Sequence, residues 1–201
     1  MTARTMTAVR KTAARLAASA PFAIRAERAS DVAAREALLD ASFGEGRHTR
    51  TCQRLRDGRA PAEGLSFAAI QQGKLIGTVR LWHVSAGGIP ALVLGPLAVD
   101  TSCRSLGVGA ALMNHALTAA TARGHSAVIL RGDPAYYERF GFSAAKTGGL
   151  ALPGPFEPER LLAIELREGA LDGAAGMIAA TGHKARRPRA REARKLLIQA
   201  A

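Results

Sequence analysis

Ala91-Leu92-Val93-Leu94-Gly95-Pro96-Leu97-Ala98-Val99-Asp100 runs directly into Thr101-Ser102-Cys103-Arg104-Ser105-Leu106-Gly107-Val108-Gly109-Ala110. The first half is an apolar strand with a flaw in its middle. Proline cannot donate to a ladder and glycine weakens one, so Gly95-Pro96 predicts a bulge or a splayed strand. The second half is a glycine-bearing turn opening a helix over residues 107–123. That helix carries Ala110, Leu112, Met113, Ala116, Leu117 and Ala120 on its buried side, and Gly124 follows its end. A turn from strand into helix is an anion site: the first N–H groups of the helix lack internal partners, and the peptide dipoles add favourable charge. Gly107 and Gly109 let an oxyanion approach the backbone, and Arg104 adds a charged donor.

Upstream, Gln72-Gly73 is a hairpin signal between residues 66–71 and 75–84, and Ala86-Gly87-Gly88 turns the chain into 91–100. Three strands in succession make a meander. Before it, residues 22–27 alternate as a short strand. Ser30 then predicts an N-cap, with Asp31 in the first turn of a helix that places Val32, Leu38 and Leu39 on one face and ends before Gly44. Residues 48–57 predict a second helix closed by Gly58. Downstream, 127–131 is a buried strand, Pro134 starts a short helix ending at Gly141, and 161–167 alternates as a last strand. The order β-α-α-β-β-β-α-β-α-β combines a meander with one β-α-β crossover, which gives an α+β class and a mixed sheet.

Three phosphate-binding patterns compete for residues 104–110. A P-loop requires a lysine after its glycines, and none follows. A dinucleotide fingerprint requires a third glycine at Leu112 and an earlier parallel strand, and both are missing. The third pattern, Arg/Gln-x-x-Gly-x-Gly/Ala after a strand, fits Arg104-Ser105-Leu106-Gly107-Val108-Gly109 without a gap, beside the plain alternative of a glycine-rich turn. After the next strand comes Tyr136-Tyr137-Glu138-Arg139-Phe140-Gly141-Phe142, a Tyr-x-x-x-Gly-Phe arrangement with Tyr137 four positions before the glycine. Tyr136 and Phe140 are core aromatics on this reading.

The two motifs, in this order on these elements, resemble the GNAT N-acetyltransferase superfamily in its bacterial form. The resemblance spans roughly 22–168. It implies the GNAT fold: a mixed, mostly antiparallel central sheet with a splayed strand pair, flanked by helices. It implies acetyl-CoA as co-substrate and an amine as acceptor, with no metal. Leu97, Ala98 and Val99 would pair with the pantetheine amides like an added strand. Arg104, Ser105, Leu106, Gly107, Val108, Gly109 and Ala110 would hold the pyrophosphate, an N–H near Leu97 would polarise the thioester carbonyl, and Tyr137 would be the general acid. Asp133-Pro134 stands where many relatives have a longer, asparagine-containing loop, a departure at the pantetheine contact. Many relatives also carry a glutamate on the strand entering the loop. Here residues 91–99 contain no carboxylate, so the candidate bases are His83, Glu45 and a water relay. The acceptor pocket is expected from residues 43–50 and the loop 148–160.

The formal charge of +12 on 201 residues sits mostly at the ends: residues 1–21 carry +4, 183–201 carry +6, and 22–182 only +2. A near-neutral centre argues against reading the whole chain as a nucleic-acid binder. The expected division is a basic extension over 1–21, the acetyltransferase domain over 22–182 and a basic tail over 183–201. The first segment has transit-peptide-like composition or is a plain extension, and Met6 is an alternative start. The last has no aromatic interleaved with its cations, so it lacks a base-stacking platform. Its alternatives are a solvated tail, an anion-binding tail or a docked short helix. Cys52 and Cys103 have neither metal-ligand nor CxxC spacing, and two free thiols fit the cytoplasm. No apolar run reaches membrane-spanning length. The rival functions are a catalytically silent CoA-binding module and a nucleic-acid-binding protein acting through its tails. Either a monomer or a homodimer suits the family.

Overall fold

The computed structural model describes residues 21–185. Residues 1–20 and 186–201, with the expectations for the two basic ends, lie outside the described residues. The strands are β1 (Ala23–Ala26), β2 (Ser66–Gln71), β3 (Lys74–Ala86), β4 (Ile89–Val99), β5 (Ala127–Arg131), β6 (Leu150–Ala151), β7 (Leu161–Glu165) and β8 (Gly176–Ala180). The helices are α1 (Val32–Phe43), α2 (Val108–Ala122) and the single turn α3 (Pro134–Tyr137).

The strands form one sheet in the order β1-β2-β3-β4-β5-β7, with β8 on β3 and β6 on β8. Pairing is antiparallel except for β4 with β5 and β6 with β8. The α+β class and the mixed, mostly antiparallel sheet are therefore as the sequence predicts. Gln72 and Gly73 both adopt positive φ, the two-residue turn that the hairpin requires.

Two cores lie on the sheet. One buries Val79, Leu81, Leu92, Leu112, Met113, Ala116 and Phe142 beneath α2. The other gathers Leu55, Trp82, Val84, Val93, Ile129 and Leu152. α1 is anchored by charge as well as by apolar contact. Arg35 is buried on it and donates to Glu27 just past β1, and Glu27 also accepts from Arg80 of β3. Burying an arginine is costly, and here the Glu27 carboxylate compensates the charge.

Four local expectations change. Ser30 is not the cap: Asp31 accepts the Arg28 N–H at 2.7 Å and closes a 3-10 turn over Ala29–Asp31 before α1. Asp31 outcompetes Ser30 because its carboxylate also pairs with Arg25. Val32 faces outward, 43% exposed, and the buried face of α1 is carried by Arg35 and Leu39. The helix expected over 48–57 is two 3-10 turns, Glu45–Thr49 and Thr51–Leu55, broken at an extended Arg50. The Thr49 hydroxyl donates to the Gly46 carbonyl, a local bond that competes with helix propagation. Finally, β6 and β8 add two strands that sequence pattern did not signal. Past β8 the chain continues onto the 58–60 loop, where Ala60 N–H donates to the His183 carbonyl and Ala185 N–H to the Gly58 carbonyl. These bonds tie the segment after β8 to the 58–60 loop.

Candidate functional site

Strand β4 is where the sheet opens. Its register against β3 jumps from Val79↔Leu97 to Leu81↔Leu94, so Gly95-Pro96 bulges out opposite Arg80. Gly95 sits at φ 138°, a conformation open to glycine. The Trp82 indole N–H donates to the Gly95 carbonyl at 2.6 Å and holds the bulge in place. On its other side β4 pairs with β5 only at Leu92↔Val128 and Val93↔Ile129. Beyond the bulge, Leu97, Ala98 and Val99 pair with β3 but face no strand across the gap.

A cavity of about 160 Å³ opens at this divergence. Its floor is Leu94, Gly95, Pro96 and Leu97 of β4 with Leu130 and Arg131 of β5. Tyr137 enters from α3, and Leu39, Phe43, Arg47, Arg50, Cys52 and Arg56 close the opposite wall. Tyr137 is placed by the residues that precede it. Asp133 caps α3 by accepting the Ala135 N–H, Pro134 begins the turn, and the ring lies against Gly132, where a Cβ would stand 2.1 Å from a ring carbon. Burial first, then the neighbouring Tyr136 and Asp133, pushes the Tyr137 phenol up to about 12. It is a protonated group across the physiological range. Of its neighbours, Phe140 is half-buried against the core, as expected, whereas Tyr136 is half-buried outside both core clusters, tilted against Phe140 and covered by the Arg139 guanidinium at 4.1 Å.

The anion turn lies at the other end of the gap. A 3-10 turn, Thr101–Leu106, precedes α2, and Asp100 caps it through the Ser102 N–H. Arg104, Ser105 and Leu106 belong to this turn, in which the Cys103 N–H donates to the Asp100 carbonyl. Beyond it lie donors that the helix ladder leaves open. They are the first N–H groups of α2, from Val108, Gly109 and Ala110, because the intrahelical ladder begins with Ala111 N–H to the Gly107 carbonyl. Gly107 turns the chain into the helix at φ 73°. The Arg104 side chain is exposed beside these donors, and the Tyr136 hydroxyl lies 3.0 Å from the position a Cβ would take on Gly109.

The candidate bases are not brought to the cavity. His83 stacks on His125, 5.3 Å between ring centroids, near the start of β5. Glu45 is exposed on the first 3-10 turn. Among the described residues, no Asp or Glu lines the cavity. Residues 43–50 do contribute to its wall. The 148–160 loop supports it from behind, with the Pro153 and Pro155 carbonyls accepting from Arg54 and Thr51. Arg47 falls within the expected 43–50 wall, but sequence reading missed Arg56 and Arg131 in the lining, since their convergence depends on packing and not on local spacing. Cys52 is a free half-buried thiol in the wall, and Cys103 is free and buried below the anion turn. Among the described residues, no helix is long and apolar enough to cross a membrane.

The profile of the acetyltransferase (GNAT) family matches residues 32–142, which includes α1, the meander, the anion turn and Tyr137. An N-acetyltransferase of Escherichia coli K12, YhbS, is 31% identical over 157 residues, 77% of this chain and 93% of the relative. The crystal structure of E. coli YhbS in complex with CoA superposes with a TM-score of 0.70 at 30% identity, covering 81% of this chain and 91% of that one. A GNAT family acetyltransferase from Brucella melitensis in complex with acetyl-CoA gives 0.53 at 26% identity, over 75% and 98% of the two chains. A splayed β4–β5 pair, an anion turn opening α2, a family profile across more than half of the sequence and a relative at this identity together place the chain in the acetyltransferase (GNAT) family.

Proposed function

We propose that this protein moves an acetyl group from acetyl-CoA to a primary amine by direct attack within a ternary complex. The observation that carries the reading is the alignment of three parts along one gap: the α2 N-terminus, the unpaired edge at Leu97–Val99, and the cavity holding Tyr137. The N–H groups of Val108, Gly109 and Ala110, with Arg104 beside them, would take the pyrophosphate. The free edge of β4 would pair with the pantetheine amides as an added strand. That course delivers the thioester to the bulge, where a backbone N–H near Leu97 polarises the carbonyl.

The amine nitrogen attacks the carbonyl carbon, the C–S bond breaks, and the Tyr137 phenol gives its proton to the departing sulfur. Among the described residues no carboxylate lines the cavity; on this reading the amine loses its own proton to water, and Tyr137 is reprotonated from solvent. The packed acetyltransferase unit on this reading is residues 22–185.

Calorimetric titration of the full chain with coenzyme A, together with thermal melting, tests the donor site. Heat of binding and a raised Tm are expected, and the absence of both would overturn the assignment. Thiol release from acetyl-CoA with a panel of amines tests turnover. If CoA binds but no amine accelerates release, the chain is a CoA-binding module without transfer activity.

A further inference from the structure

Four guanidinium groups converge on the cavity, and they are not equivalent. Arg47 is neutralised by Glu36 and Asp40. Arg131 is neutralised by Glu157. Arg50 lies over the Phe43 ring, 5.1 Å from its centroid, and donates to the Phe43 carbonyl; neither neighbour carries negative charge. Arg56 has no ion pair among the described residues, and its Nε is buried without any hydrogen-bond partner. Its Nη1 lies 3.7 Å from the position a Cβ would occupy on Gly95, so the fork stands over the bulge itself. Burial, then repulsion from Arg47 and Arg50, lowers the pKa of this group against the opposing pull of Cys52 and Asp57. Its enclosed Nε is a costly unsatisfied donor, while the rest of the half-buried fork lines the cavity with no counter-charge among the described residues.

We infer that the acceptor is an amine that also carries an oxyanion, a carboxylate or a phosphate, and that Arg56, assisted by Arg50, binds this oxyanion and so sets acceptor specificity. This rests on the transferase reading above and names its substrate class. The planar fork suits two-point contact with either oxyanion. The small cavity and its apolar floor of Leu94, Leu97 and Leu130 favour a compact acceptor.

The test uses acetylated products as probes on the full chain saturated with CoA. These are N-acetyl-L-alanine, its carboxamide and N-acetyl-O-phosphoethanolamine. Trp82 is the only tryptophan, and its bond to the Gly95 carbonyl makes its fluorescence a local reporter. One or both anionic probes should bind at least about tenfold tighter than the carboxamide, and whichever binds identifies the oxyanion. Arg56→Gln should reduce that preference to below about twofold while leaving CoA affinity unchanged. Arg56→Lys should restore part of it. Equal binding of charged and neutral probes, no binding of either up to about 10 mM, or a preference that survives Arg56→Gln would each overturn the proposal. Should CoA itself fail to bind, the transferase reading falls, and the same titration of the ligand-free chain still decides whether Arg56 holds an oxyanion.

Discussion

Tyr137 shows how far a single side chain can be argued from its surroundings. Its ring is wedged between Gly132 and the core, and burial holds the phenol protonated up to about pH 12. Tyr137→Phe should lower kcat by about 100-fold, with little change in acetyl-CoA KM or Tm, as read by thiol release and thermal melting. Gly132→Ala should act on the same group indirectly. The new methyl would lie 2.1 Å from the ring, so the tyrosine must move. We expect kcat to fall by at least about tenfold, since small misplacements of reacting groups are expensive, and Tm to fall as well. Tyr137 and the Gly95-Pro96 flaw were legible in the sequence because each is a local pattern with a local consequence. Arg56 was not. A guanidinium left without a partner is a property of four chain segments meeting, and no spacing within 48–57 announces it.

Elements were legible where periodicity and turn chemistry agreed. The β2–β3–β4 meander and α2 fall within a few residues of their expected bounds, since Gln72-Gly73, Gly87-Gly88 and Gly124 fix their ends. Residues 48–57 read as a helix because their composition is helical, while Thr49 bonds backward and Arg50 is extended. Strand β8 escaped notice because Gly176-Met177-Ile178-Ala179-Ala180 lacks clear alternation, and its pairing with Val84–Ala86 of β3 beyond the end of β2, and with β6, makes it a strand. The start of α1 carries a pH dependence. The Arg25 bond, helped by the Arg28 N–H, holds the Asp31 carboxyl down at about 2 against a reference of 3.8. A depressed acid stabilises the fold above its unfolded pKa and loses that contribution as pH falls. Chemical denaturation should therefore show stability declining between pH 3.8 and about 2. Asp31→Ala should flatten that decline and cost about 1 kcal/mol near neutrality.

Over the whole molecule, the transfer machinery and the charge are separated. The cavity lining, the free edge of β4 and the start of α2 all lie between 39 and 137, while most of the +12 lies at the two ends of the chain. Deleting residues 186–201 should leave acetyl transfer to a small amine within about twofold of the full chain. Loss of turnover on deletion would mean that the C-terminal segment belongs to the site. Electrostatic attraction to polyanions, measured as salt-dependent retention on heparin, should drop with the same deletion.

The backbone ladder joins β4 to β5 at two residue pairs only, and β7 hangs from β5 in turn. The sheet is therefore two plates riveted at one corner. Force applied across it would concentrate on that corner, and a cofactor laid along the open side would work as a second rivet, stiffening both plates through backbone bonds that neither could make alone.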